Sequence, residues 1–189
     1  MQLTGLHVLP ASTATVWKML MDTDTLARIV PGITSLEKTA ENQYNAIADI
    51  KMGPVSGIFT GILTLKDIQE EVGYTLHVTQ NSKIGNADAT VAIAIKATDA
   101  THTELNFDGD AKISGVLARM GPRVIGSVAN TLTKQFFENF EKELSEMKVA
   151  EPTDNQVVVE EKIAEVVHPL PVQQSFFERL LAWLKGLFL

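Results

Sequence analysis

The sequence predicts an α+β fold. A curved antiparallel sheet wraps on one long C-terminal helix, and a tethered amphipathic helix follows. Three observations predict this. Between Tyr44 and Ser114 apolar residues recur at every second position. From about Gly121 they recur at every fourth. After Lys148 the composition changes twice, first to an acidic stretch and then to an apolar one. Period two marks strands with one wet and one buried face, and a period near 3.6 marks an amphipathic helix.

The elements follow in order. "LTGLHVLP" alternates and reads as a first strand ending at Pro10. Ser12 is placed to cap a short helix, "TATVWKMLM". "DTDTLARIV" reads as a second short helix, capped by Asp22 or Asp24 and stopped by Pro31-Gly32. Five or six strands come next. Tyr44 to Met52 precedes a Gly53-Pro54 turn. Val55, Gly57, Phe59, Gly61, Leu63 and Leu65 share one face, with Ser56, Thr60, Thr64 and Lys66 opposite. Val72, Tyr74, Leu76 and Val78 point inward in the next segment, and Ala87, Ala89, Val91, Ile93 and Ile95 in the one after. Leu105, Phe107, Gly109, Ala111 and Ile113 alternate with Glu104, Asn106, Asp108, Asp110 and Lys112 in the last.

Val124, Val128, Leu132, Phe136, Phe140 and Leu144 then form one stripe, with Lys134, Glu138, Glu141, Lys142 and Glu146 opposite. This is a helix of about 26 residues, roughly 39 Å long, enough to cross the sheet. Together these elements make a helix-grip body over residues 1–148. Residues 149–172 form an acidic linker with three prolines, where Lys162 stands against Glu151, Asp154, Glu160, Glu161 and Glu165. If flexible, it spans roughly 27 Å. Residues 173–189 form the amphipathic helix.

Composition narrows the function. The chain has 189 residues and a net charge of −7, which lacks the basic footprint of a nucleic-acid binder. There is no cysteine, so no disulfide, thiolate metal site or cysteine nucleophile can form. The N-terminus shows no basic start followed by an apolar run, so no signal peptide is expected.

The segments "DTDTLARIVPGITSLEK", "KMGPVSGIFTGILTLKD" and "DAKISGVLARMGPRVIGSVANTLTKQFFENFEKEL" resemble the CoxG family, named for the G subunit of carbon monoxide dehydrogenase, within the START/Bet v1-like (SRPBCC) superfamily. The resemblance covers about residues 1–148. It implies a cytoplasmic accessory protein for a CO dehydrogenase-type molybdenum hydroxylase. That protein would bring the enzyme to the membrane or pass its electrons to the quinone pool. The superfamily implies an apolar cavity between sheet and long helix.

Small inward residues, Gly57, Gly61, Ala87, Ala89, Gly109 and Ala111, have two readings. They leave room for an apolar ligand, or they permit strand curvature and close approach of the helix. The cavity reading walls the space with Trp17, Phe59, Leu63, Phe107, Val124, Val128 and Phe136. Tyr74 is its one clear polar tip. "SGVLARMGPRV" is either a mouth gated by Leu117 and Met120, with Arg119 and Arg123 as contacts, or an ordinary strand-to-helix connection. No pair of inward titratable groups can be assembled for acid–base catalysis. His7, His77, His102 and His168 share no metal spacing, and Asp108 and Asp110 face solvent. No catalytic residue, metal site or covalent cofactor is expected. A bound quinone or other apolar lipid is.

In "QSFFERLLAWLKGLFL", Ser175 and Glu178 stand at capping-box spacing. Lys185, Glu178, Ala182, Ser175, Gly186 and Arg179 form a narrow polar stripe. Phe176, Phe177, Leu180, Leu181, Trp183, Leu184, Leu187 and Phe188 cover the rest. Such a helix lies in a lipid interface or docks on protein. Its length of about 21 Å falls short of the ~30 Å of hydrocarbon a span needs. The combined expectation is a non-enzymatic carrier of a respiratory quinone, peripheral on the cytoplasmic face of the cell membrane. It would link a CO dehydrogenase-type enzyme to the respiratory chain. The alternatives are an anchor without ligand and an enzyme of the START-like superfamily.

Overall fold

The computed structural model describes residues 1–150, with side chains described through Met147. Strand β1 (Gln2–Leu9) precedes helices α1 (Thr13–Met21) and α2 (Thr23–Ile29). Strands β2 (Ile33–Ala40), β3 (Gln43–Met52), β4 (Val55–Gln69), β5 (Gly73–Ser82), β6 (Gly85–Ala97) and β7 (Thr103–Ile113) follow. Helix α3 (Gly115–Arg119) leads into α4 (Pro122–Ala150). The strands form one seven-stranded antiparallel sheet in the order β1-β7-β6-β5-β4-β3-β2. The expected α+β architecture is therefore present.

Local chemistry starts and stops these elements. Ser12 Oγ accepts from the Thr15 backbone N–H and opens α1. Asp22, rather than Asp24, caps α2: its carboxylate accepts from the Thr25 N–H at 2.8 Å and from the Thr25 hydroxyl. Three hairpins close through two residues each, at Ala40↔Gln43, Met52↔Val55 and Ser82↔Gly85. Short loops of this kind fix register and make a meander. Strand β2 carries no clean alternation because its pairing with β3 slips between Ile33 and Ser35 and again between Lys38 and Ala40. A bulge moves side chains off a strict period of two.

Inward and outward faces follow the alternation along β4, β6 and β7. Val72 departs from its expected inward place. It is 54% exposed because it lies in the turn before Gly73, where its N–H donates to Gln69 O at 3.0 Å. The outer face is also less polar than expected, since Ile58 and Ile62 stand exposed on β4. Helix α4 buries Phe140 and Leu144 as its stripe predicts. It also buries Phe137, one position off that stripe.

Two packed clusters lie between sheet and helices. The first joins Leu9, Val16, Met19, Leu20, Ile29, Leu105, Phe137, Phe140 and Leu144. The second joins Ile50, Val55, Phe59 and Leu117, with Met120, Ile125, Val128 and Leu132 against them. The expected amphipathic helix at 173–189, with Phe176, Phe177, Leu180, Leu181, Trp183, Leu184, Leu187 and Phe188, lies outside the described residues, as does the linker beyond Ala150.

Candidate ligand cavity

The first cluster surrounds a hollow. A cavity of about 380 Å³ lies under α4. The sheet contributes Tyr44 from β3, Leu63 and Leu65 from β4, Tyr74 and Leu76 from β5, Val91 and Ile93 from β6, and Leu105 and Phe107 from β7. Helix α4 contributes Leu132, Thr133, Phe136 and Phe137, while α1, α2 and β2 add Leu20, Leu26, Val30, Ile33 and Leu36. Among the described residues no Lys, Arg, His, Asp or Glu lines it. Its polar side-chain atoms are the hydroxyls of Tyr44, Tyr74 and Thr133.

Helix α2 is tied to α4 beside this space. Asn139 on α4 donates to Ile29 O at 3.1 Å, and Arg28 on α2 donates to Glu143 at 2.7 Å. Thr103, fully buried, donates its hydroxyl to Ala11 O at 2.7 Å and ties the start of α1 to β7.

The expected wall residues separate into four groups. Leu63, Tyr74, Phe107 and Phe136 line the cavity. Trp17 sits behind it, edge-on to Tyr74 with ring centroids 6.1 Å apart. Phe59, Leu117, Met120 and Val128 pack in the second cluster instead. Val124 borders a surface cleft with Gly53, Pro54 and Arg123. Tyr44, Leu132 and Phe137 line the cavity beyond those expected. Tyr44 was visible as the first residue of a period-two run. Phe137 was hidden because a buried stripe on a long helix is often wider than one residue in four.

The small inward residues do not line the cavity. A Cβ on Gly61 would stand 2.9 Å from Thr79 O, and one on Gly109 would stand 3.0 Å from Val91 Cγ2. At these positions glycine serves close strand approach, and the hollow comes from the standoff of α4.

A second cleft, of about 450 Å³, opens between β1 and α4 and shares Leu3, Phe107, Thr133 and Phe137 with the cavity. Phe107 can sit at this junction because Gly5 has no side chain. A Cβ there would meet the ring at 2.4 Å. The cleft is polar at its rim. His7 stacks on Phe137 with ring centroids 4.1 Å apart, and its Nε2 lies 2.8 Å from Glu141 Oε1. Lys134 and Glu138 pair nearby at 3.6 Å. His7 is thus satisfied by local partners. His77 Nδ1 lies 3.0 Å from Ala89 O, and His102 pairs with Asp99. Among the described residues no group of three or more His, Asp or Glu could hold a metal ion. Burial raises the pKa of Tyr74 above the ordinary tyrosine value, and Tyr44 adds to the effect, so its hydroxyl stays protonated.

Residues 6–145 match the family described as the G subunit of carbon monoxide dehydrogenase (CoxG). The chain belongs to the CoxG family. No curated protein matches it. A conserved protein from Geobacillus kaustophilus is 29% identical over 77% of this chain and 96% of its own, with a TM-score of 0.75. A START superfamily protein from Mycobacterium smegmatis is 12% identical over 77% of this chain and 98% of its own, with a TM-score of 0.63. Ara h 8.0201 is 13% identical over 77% of this chain and 98% of its own, with a TM-score of 0.57. These last two bear on the fold alone, which is START/Bet v1-like. The CoxG name implies association with carbon monoxide dehydrogenase. Among the described residues no helix is long and apolar enough to cross a membrane.

Proposed function

We propose that this CoxG protein is a non-enzymatic carrier of a respiratory quinone, working between a CO dehydrogenase-type molybdenum hydroxylase and the membrane. The observation that carries this reading is the 380 Å³ cavity, apolar throughout apart from three hydroxyls. It falls near the lower end of the roughly 300–1,000 Å³ usual for small-molecule sites, which suits a ring better than a whole long-chain lipid. The cycle would be extraction of the quinone, shielding under α4, reduction at the enzyme and return. With no carboxylate, imidazole or amine on the cavity wall, the two protons of reduction must come from the enzyme or from water at the mouth. The apolar helix at 173–189 would hold the body at the cytoplasmic face through Phe176, Leu180, Trp183 and their neighbours.

Lipid extraction and native mass spectrometry of protein expressed with its membranes test the carrier. A co-purifying quinone is expected, and an empty body would leave only a recruitment role. Vesicle pelleting tests the helix. Full-length protein should pellet and a chain ending at Val172 should stay in solution. Equal pelleting would remove the membrane role.

A further inference from the structure

Tyr44 and Tyr74 are each only 8% exposed, and both line the cavity. They come from different strands, β3 and β5, with β4 between them. Neither hydroxyl has a protein hydrogen-bond partner among the described residues. Yet no sealed side-chain oxygen or nitrogen there is left without one. Both phenol oxygens therefore meet open space, and the space these side chains line is the cavity.

A phenol facing such a space bonds to water, and an apolar ligand that displaces the water takes that bond away. A ligand that brings acceptor oxygens restores the lost bonds. Its acceptor must be uncharged. No cation lines the cavity, so a carboxylate or phosphate would be buried without a counter-charge. A hydrocarbon would fill the volume and leave both donors unmet. We propose that Tyr44 and Tyr74 hydrogen-bond the oxygens of a neutral, carbonyl-bearing head, and that the cavity rejects carboxylates of the same size. This rests on the carrier reading and adds which atoms the protein grips. The burial that keeps the Tyr74 hydroxyl protonated also keeps it a donor. Thr133, where cavity and cleft meet, offers a third hydroxyl on the path between them.

Three probes of similar shape separate oxygen recognition from apolar filling: menadione, methylnaphthalene and naphthoate. Binding is measured on lipid-stripped, full-length protein carrying Trp183→Phe. That leaves Trp17, which lies edge-on to Tyr74, as the only tryptophan. Titration calorimetry gives an independent affinity. Menadione should bind tightest and naphthoate weakest. Tyr44→Phe and Tyr74→Phe should each weaken menadione about five-fold, the loss of one net hydrogen bond, and leave methylnaphthalene unchanged. If both Phe variants weaken menadione and methylnaphthalene equally, the tyrosines only shape the wall and the proposal is overturned. Naphthoate binding as tightly as menadione overturns it too. If methylnaphthalene matches menadione on the unaltered pair, the hydroxyl grip falls while the apolar carrier stands. If neither neutral probe binds, both fall together.

Discussion

Two regions beneath α4 are built from the same kinds of residue, and only one of them is full. At the N-terminal end of the helix, Ile50, Val55, Phe59 and Leu117 close against Met120, Ile125 and Val128. In the middle, Leu63, Leu76, Ile93 and Phe136 face one another across 380 Å³. Both sets draw on inward positions of alternating strands, with Leu117 added from α3 and Phe136 from α4. What differs is the roof. Near Gly53 and Pro54 the strands curl up to α3 and the start of α4. In the middle, α2 is tied to α4 through Asn139 to Ile29 O and Arg28 to Glu143. A cavity in such a fold is set by where the helix lies, and the size of the residues beneath it matters less.

This contrast can be broken by substitution, and the largest effect lies in the packed part. Phe140 is fully buried and contacts Phe136 edge-on at 5.9 Å. Phe140→Ala should cost about 3–5 kcal/mol, read from urea unfolding. Leu76→Ala on the hollow wall should cost less, because one side of Leu76 already faces empty space. Equal losses would mean that the hollow wall is as tightly packed as the cluster around Phe140.

Adding volume should separate the regions the other way. Val55→Phe inserts atoms where Phe59 and Leu117 leave no room and should cost about 1–3 kcal/mol. Val91→Phe points into the cavity and should leave the unfolding midpoint nearly unchanged while reducing ligand uptake. A smaller test addresses the tie between α1 and β7. Thr103→Val removes the hydroxyl bonded to Ala11 O and leaves a buried carbonyl unmet, at about 1–2 kcal/mol. It should also alter ligand affinity, since α1 brings Leu20 to the cavity wall.

The smallest expected effect concerns the start of α2. Asp22→Ala removes its cap at about 1 kcal/mol. Hydrogen bonds from the Thr25 hydroxyl and N–H hold the Asp22 carboxyl below its ordinary pKa of 3.8. A carboxyl whose pKa is lower in the folded state stabilises fully above the unfolded value and loses that contribution as pH falls through the folded one. The gap in urea midpoint between the parent and Asp22→Ala should therefore be constant near pH 6 and narrow below about pH 3.8. A gap that persists into strong acid would show that the capping oxygen acts without its charge.

Much of this protein is written locally. Ser12 and Asp22 cap helices because their side chains accept the first free N–H groups, wherever the helix later packs. The strands from β3 to β7 could be read because alternation records which face is dry, and the α4 stripe because a helix records the same thing at another period. The CoxG motifs lie within these elements. Tertiary structure decided the rest. Alternation says that Phe59 and Leu63 point the same way. It says nothing of what stands opposite, which is Leu117 for one and open space for the other. Tyr44 and Tyr74 are two residues of β3 and β5 until the curved sheet brings both to one cavity. Their lack of a protein partner is a property of that enclosure, because only the folded chain sets what stands opposite each hydroxyl.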